Sequence, residues 1–288
     1  MTRILLTGAN GQVGWELLRT LSTLGEVIPL ERGALDLADA DAIARAVRDT
    51  KPGLIVNPAA HTAVDKAEAE PELAMVINGH APGVLAEEAK RLGAALIHYS
   101  TDYVFNGAKT TPYTERDATG PKSVYGVSKL AGERAIQAVG APHLILRTSW
   151  VYGQRGKNFF LTMQRLARER EVLTVVDDQL GAPTWCRLLA EATAQIVAQG
   201  GVDVAGYLRE RSGVYHMSCA GQTSWHGFAH AILDRMTGPV AQLRPIPGAS
   251  YPTPAARPAY SVLDNTRLAE TFNVRLPDWL DALDMAIA

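Results

Sequence analysis

The spacing of apolar residues changes period again and again over the first 150 residues. Residues 3–7, RILLT, form a short apolar run that predicts a buried strand, and from Val13 the positions Leu17, Leu18, Leu21 and Leu24 recur at helical spacing until Gly25. A second strand, EVIPLE, ends in Glu31. Asp39 then reads as an N-cap, Ile43 and Val47 mark one helix face, and Pro52 and Gly53 close that helix before strand LIVN. Helix PELAMVINGHAPGVLAEEAKRLG follows, then strand AALIHYST, helix SVYGVSKLAGERAIQAV and strand HLILRTSW. Such alternation predicts an α/β fold of the Rossmann type, a doubly wound parallel sheet with helices on both faces and its ligand at the carboxyl ends of the strands.

Beyond Trp150 the alternation loosens. NFFLTMQRLARER is an amphipathic helix, EVLTVVDDQLGAPT a strand and turn, WCRLLAEATAQIVAQG a further helix, and VYHMS another strand. The expected division is a dinucleotide-binding domain over 1–155 and a smaller, mainly substrate-binding C-terminal domain over 156–288. Within the latter, 185–218 is expected to pack back onto the Rossmann sheet. PIPGASYPTPAARPAYS is proline-rich and reads as an extended loop closing over the substrate domain, a reading favoured over a polyproline ligand for another protein.

Composition removes several classes of function. The 288 residues carry a formal net charge of −2 with Lys and Arg scattered among Asp and Glu, so no basic field for nucleic acid is expected. No apolar run approaches the ~20 residues needed to span a bilayer. Two cysteines, Cys186 and Cys219, are too few for a disulfide framework and fit a reducing compartment. The first residues run directly into a strand without the pattern of a secretory signal. A cytoplasmic protein is the expectation.

The candidate chemistry begins at Gly8, Gly11 and Gly14, on the turn from the first strand to the first helix. Such a turn aims helix N-terminal amides above the sheet and lets a diphosphate approach the backbone, although glycines also simply join strands to helices. Glu31 stands where dinucleotide folds place an acid on the adenosine ribose, and Arg32 beside it could pair with a 2′-phosphate. Tyr125 and Lys129 lie four apart on one helix face. A phenol used as an acid or base near neutrality needs a neighbouring cation, which Lys129 supplies; a plain surface pair would have the same spacing. Thr101, at the end of a strand, can hydrogen-bond a carbonyl oxygen while Tyr125 delivers a proton. His226 and His230 are spaced for zinc, but with no Glu after the first and no third ligand evident they read as ordinary helix histidines.

The segments TGANGQVG, NPAAHTAVDKAE, YSTDYVFNG, YGVSKLAGE, RTSWVYG, DQLGAPT and RPAYSVLD, in that order and over nearly the whole chain, resemble the dTDP-4-dehydrorhamnose reductases of the extended short-chain dehydrogenase/reductases. The glycine turn and Tyr-x-x-x-Lys are general to that superfamily, whereas HTAVDKAE and STDYVF are more specific. The resemblance implies reduction of the C4 ketone of a dTDP-4-keto-6-deoxy sugar by NADPH or NADH. It implies that Tyr125 is the proton donor, that Lys129 holds the nicotinamide ribose, and that Thr101 with Asp102 grips the sugar. Val64, Tyr103 and Trp150 would line the sugar pocket. Gly11, Gln12, Val13, Glu31, Asp36, Leu37, Ala60, His61, Thr62 and Tyr99 would contact the cofactor.

Arg257, on the proline-rich loop, could reach the diphosphate of a nucleotide sugar, with Gln179 and Thr184 serving the same ligand. The resemblance also admits a homodimer. Some relatives bridge such a contact through a metal bound by a Glu on the first helix, where Glu16 stands here, but the acidic partner position holds Arg187, so no metal is expected. Three other readings compete. A 4,6-dehydratase needs a carboxylate where Tyr103 stands, and a 4-epimerase is not favoured by the matches beyond the superfamily motifs. A non-catalytic nucleotide-binding subunit, like the methionine adenosyltransferase beta subunit, would have no need of Thr101, Asp102, Tyr125, Lys129 and Trp150 together.

Overall fold

In the computed structural model, which describes residues 2–288, six strands form one parallel sheet. They are β1 (Thr2–Thr7), β2 (Gly25–Leu30), β3 (Leu54–Asn57), β4 (Ala95–Thr101), β5 (His143–Thr148) and the strand Gly213–His216. Their spatial order is Gly213–His216, β5, β4, β3, β1, β2. From β1 the chain first goes outward to β2 and then returns to β3 on the other side. The carboxyl ends of β1 and β3 therefore flank a switch point, where connections diverge and leave a crevice.

The apolar runs are continuous because both faces of this sheet are covered. Ile4, Leu6, Leu54, Val56, Ile97, Leu144 and Leu146 face helix α1 (Gln12–Leu21) and helix Cys186–Gln199, packing with Leu17, Leu21, Leu189 and Ile196. The alternate residues Leu5, Ile55, Leu96 and Ile145 face the opposite layer, against Ile43, Val47, Leu85 and Ile136. A strand buried on both sides has no polar alternation to show. Truncating one of these leucines to alanine would cost about 2–5 kcal/mol.

A third core, containing Phe160, Met163, Leu173, Phe228, Ile232 and Leu283, is built from helices Phe159–Glu169, Trp225–Leu233 and Trp279–Ile287. A fourth, with Phe105, Tyr113, Tyr260 and Val262, lays the 260–263 segment over the turn that follows β4.

Several elements differ from expectation. The helix expected over 71–93 is three pieces, Pro71–Met75, a π turn at Val76–His80, and Ala81–Leu92. Pro82 has no N–H for the Asn78 carbonyl, and Gly132 of the neighbouring helix packs against that carbonyl so closely that a Cβ would sit 2.2 Å from it. A widened turn accommodates both. A short helix, Val64–Ala69, occupies the HTAVDKAE segment. The proline-rich loop begins later than expected, because Pro245 and Ile246 still pair with Val175 and Val176 in a two-stranded parallel ladder. There the proline costs little, since the strand is an edge. Strand β5 stops at Thr148, and Trp150 beyond it has a left-handed backbone with φ 45°.

Candidate active site

The glycine turn is shaped by close approaches. Gly8 has φ 56° and lies so near Ala59 that a Cβ would meet its side chain at 2.9 Å, while a Cβ on Gly14 would sit 2.1 Å from the Gly8 carbonyl. Gly11 N donates to that same carbonyl at 2.9 Å and opens α1 in an extended conformation with no side-chain cap. The first-turn amides of α1 thus have no side-chain acceptor, at the positive end of the helix. That uncapped end beside bare backbone fits a diphosphate.

Above it lies a cleft of about 560 Å³ at the carboxyl ends of the strands. Gly8, Gly11, Gln12, Val13 and Gly14 line it at the turn, and Arg32, Asp36 and Leu37 beyond β2. Ala60, His61, Thr62 and Val64 line it after β3, and Tyr99, Thr101, Asp102 and Tyr103 at and after β4. Tyr125, Lys129 and Trp150 complete the predicted residues on its wall. The π turn holds part of this wall in place: Asn78 accepts from His61 N at 2.8 Å, and its amide nitrogen donates to His61 O and to Ser128 Oγ, both at 3.1 Å. The loop after β3 is thereby tied to the helix that carries Tyr125. Gln12 is similarly engaged, its Oε1 accepting from Asn158 at 2.7 Å across the cleft. Tyr99 turns its hydroxyl to Thr193, 2.6 Å away.

Helix Val124–Val139 starts at Ser123, whose side chain accepts from Gly126 N. Tyr125 therefore lies in its first turn and Lys129 one turn on. Lys129 is 2% exposed, and its Nζ donates to the Tyr99 carbonyl at 2.6 Å. Burial pulls the ammonium down to about 8, while Glu133 acts the other way. The Tyr125 phenol is pushed up to about 12 by burial, opposed by its contact with Thr101, so it is protonated near neutral pH. The Tyr103 ring meets it edge-on, with centroids 5.7 Å apart. Asp102 accepts from Thr101 Oγ1 at 3.0 Å, yet its Oδ2 is buried without a partner, and burial pushes the carboxyl up to about 6. An acid, a buried cation, a hydroxyl and a buried carboxyl converge here.

Four predicted residues lie off the cleft wall. Glu31 is exposed just past β2, where its carbonyl accepts from Ala34 N and Leu35 N in a turn. Arg257 forms a bidentate pair with Asp65, at 2.8 and 3.1 Å, beside Tyr103. Thr184 is fully buried, its hydroxyl donating to Ala182 O and accepting from Cys219 N. Gln179 is half-buried in the turn leading to Gly181. Among the described residues, no three His, Cys, Asp or Glu side chains are grouped to hold a metal. His230 pairs with Asp234 and Arg187 with Glu191 on their own helices.

The wall also includes Asn10, Ile77, Ser149, Lys157, Asn158 and Trp225, none of which sequence reasoning selected. Asn158 carried a signal as the N-cap of the helix that begins at Phe159. Trp225 carried none, because only packing of the third core brings its helix to Trp150.

A family model described as the RmlD substrate binding domain matches residues 1–288. A dTDP-4-dehydrorhamnose reductase of Burkholderia thailandensis is 51% identical, covering 99% of this chain and 98% of that protein. The solved dTDP-4-dehydrorhamnose reductase of Bacillus anthracis, in complex with NADP, superposes with a TM-score of 0.91 at 34% identity over 99% of this chain and 98% of that one. The Thermus thermophilus UDP-glucose 4-epimerase, in complex with NAD, shares the fold at 20% identity, covering 99% of this chain and 97% of that one, with a TM-score of 0.78.

Proposed function

The chain belongs to the RmlD family, that of the dTDP-4-dehydrorhamnose reductases, and from that premise we propose how its cleft works. The reaction is reduction of the C4 ketone of dTDP-4-dehydro-L-rhamnose by NADPH or NADH, giving dTDP-L-rhamnose. The observation that carries this reading is the convergence of Tyr125, Lys129 and Thr101 on one cleft with the uncapped glycine turn of α1.

Gly8, Gly11 and Gly14 would receive the dinucleotide diphosphate, with Arg32, Asp36 and Leu37 at the adenosine end. Ala60, His61 and Thr62 would line the same ligand's path. Bound there, the reduced nicotinamide supplies the hydride. Everything else falls to the chain itself. Tyr125, a protonated phenol at neutral pH, gives its proton to the C4 oxygen. Lys129, one helical turn away and largely charged at neutral pH, stabilises the phenolate that remains. Thr101 would have to turn its one hydroxyl proton from Asp102 Oδ1 to the ketone oxygen, and the Asp102 carboxylate accepts from a sugar hydroxyl. Val64, Tyr103 and Trp150 enclose the deoxy sugar. Arg257 would have to leave Asp65 to meet the sugar diphosphate, with Gln179 next to its loop.

We also place the boundary between a cofactor unit and a substrate unit near residue 155, because the third core begins after Trp150. Buried, unpaired Cys186 and Cys219 favour a cytoplasmic setting. No described helix is long and apolar enough to cross a membrane. A homodimer is part of the same reading, tested by light scattering of the purified protein.

The test is to mix the purified protein with NADPH and an enzymatically generated 4-keto sugar nucleotide, and to follow cofactor oxidation while identifying the product by NMR. Formation of dTDP-L-rhamnose supports the assignment. Nucleotide binding without turnover would favour a regulatory subunit instead.

A further inference from the structure

Trp225 forms part of the cleft wall beside Trp150. The two indoles are parallel, with centroids 3.5 Å apart and planes inclined by 6°. They come from different parts of the fold: Trp150 follows β5, and Trp225 opens helix Trp225–Leu233 of the third core. The left-handed backbone of Trp150, φ 45°, is one that bulky residues avoid, so surrounding structure must hold it.

The restraints are identifiable. Ser149 Oγ donates to Ala182 O at 2.8 Å, and Thr184 N donates to Trp150 O at 3.2 Å. Gly181 presses on the indole so closely that a Cβ would lie 2.4 Å from its Cε2 atom. Gly181 pairs in turn with Thr223, and the next residue, Ser224, caps the Trp225 helix by accepting from Gly227 N. One short ladder thus sets both Gly181 and Trp225 against Trp150. Directly superposed rings are not the arrangement aromatic pairs choose on their own, which points to the frame as the cause.

We infer that Trp225 is a positioning residue for sugar specificity: it holds the Trp150 indole at the angle from which that ring walls the deoxy sugar. The inference rests on the reading that Trp150 faces the sugar. The cofactor turn is built from β1 and α1, so loss of Trp225 leaves dinucleotide binding intact.

Three variants test this, Trp225→Ala, Trp225→Phe and Gly181→Ala. Each is read by steady-state kinetics in both substrates, by cofactor titration, and by far-ultraviolet circular dichroism, where stacked indoles give an exciton couplet. Trp225→Ala should abolish the couplet and raise KM for the sugar nucleotide about tenfold, with the cofactor Kd within about twofold of wild type. Trp225→Phe should also lose the couplet but, keeping a ring against Trp150, stay within about threefold in that KM. Gly181→Ala displaces Trp150 while leaving Trp225 in place, and should raise the same KM even if Trp225→Ala does not fold. An unchanged sugar KM in a folded Trp225→Ala or in Gly181→Ala, or equal losses for sugar and cofactor, would overturn the inference. A wild-type protein that fails to turn over the 4-keto sugar nucleotide would overturn the reductase reading itself, and this inference with it.

Discussion

Nε2 of His98 stands 3.1 Å from Nζ of Lys129, His98 fully buried and Lys129 reaching only the floor of the cleft. His98 Nδ1 lies 3.0 Å from the Asn57 amide nitrogen, and Asn57 Oδ1 accepts from Thr7 Oγ1 at 2.6 Å. Thr7 and Asn57 end β1 and β3, and His98 lies beside Asn57 in the middle of β4, so this polar row crosses three adjacent strands and finishes at Lys129. Burial, and then the nearby Lys129 charge, hold His98 well below the usual histidine range, so it stays neutral. With the Asn57 amide on Nδ1, neutral His98 carries its proton on Nε2, so the Lys129 ammonium is held by the Tyr99 carbonyl, with no direct carboxylate partner among the described residues.

A pH dependence follows. On the acid side, protonation of Asp102 near 6 should weaken its hold on the sugar; on the other side the Lys129 ammonium is the active form, and burial brings it down to about 8, so kcat/KM should fall as pH rises through about 8. Well above that pH the decline should reach about tenfold per unit. Lys129→Met should remove this limb and weaken cofactor binding and turnover together. An intact limb in Lys129→Met would assign the ionisation to another group.

Tyr125→Phe removes the proton and keeps the ring. Turnover should drop by about 10² to 10⁴, the usual worth of general acid catalysis, with the cofactor Kd within about twofold. Kinetics paired with fluorescence titration of NADPH decide it, and near wild-type activity would remove Tyr125 from the mechanism.

Gly14→Ala tests the close packing of the turn. The new Cβ would meet the Gly8 carbonyl at 2.1 Å, so the turn must shift. Overpacking of this kind typically costs about 1–3 kcal/mol, which predicts a rise in cofactor Kd of about fivefold or more. Thermal melts with and without NADPH should show the cofactor-induced stabilisation reduced.

Cofactor choice is expected to be dual. Arg32 is on the cleft wall, while Glu31 beside it is exposed and off that wall. An adjacent carboxylate and guanidinium partly neutralise each other, so efficiencies with NADH and NADPH should lie within about a hundredfold, or ~3 kcal/mol. Arg32→Ala should shift the ratio toward NADH and Glu31→Ala toward NADPH. A ratio that stays fixed in both variants would show that neither side chain reads the ribose.

What the sequence determined by itself was whatever depends on neighbours within a turn or two. The glycine spacing, the Tyr125 and Lys129 register, the Asp39 cap and the two-faced burial of β1, β3 and β4 all follow from local periodicity and backbone sterics. The π turn was hidden because it answers to Gly132, a residue far along the chain. The engagement of Arg257 with Asp65, the row from Thr7 to His98, and the stack of Trp225 on Trp150 were hidden for the same reason. Each joins elements whose meeting is set by how separate cores dock, and docking is decided by the summed fit of many side chains over long sequence separations, which no local pattern encodes.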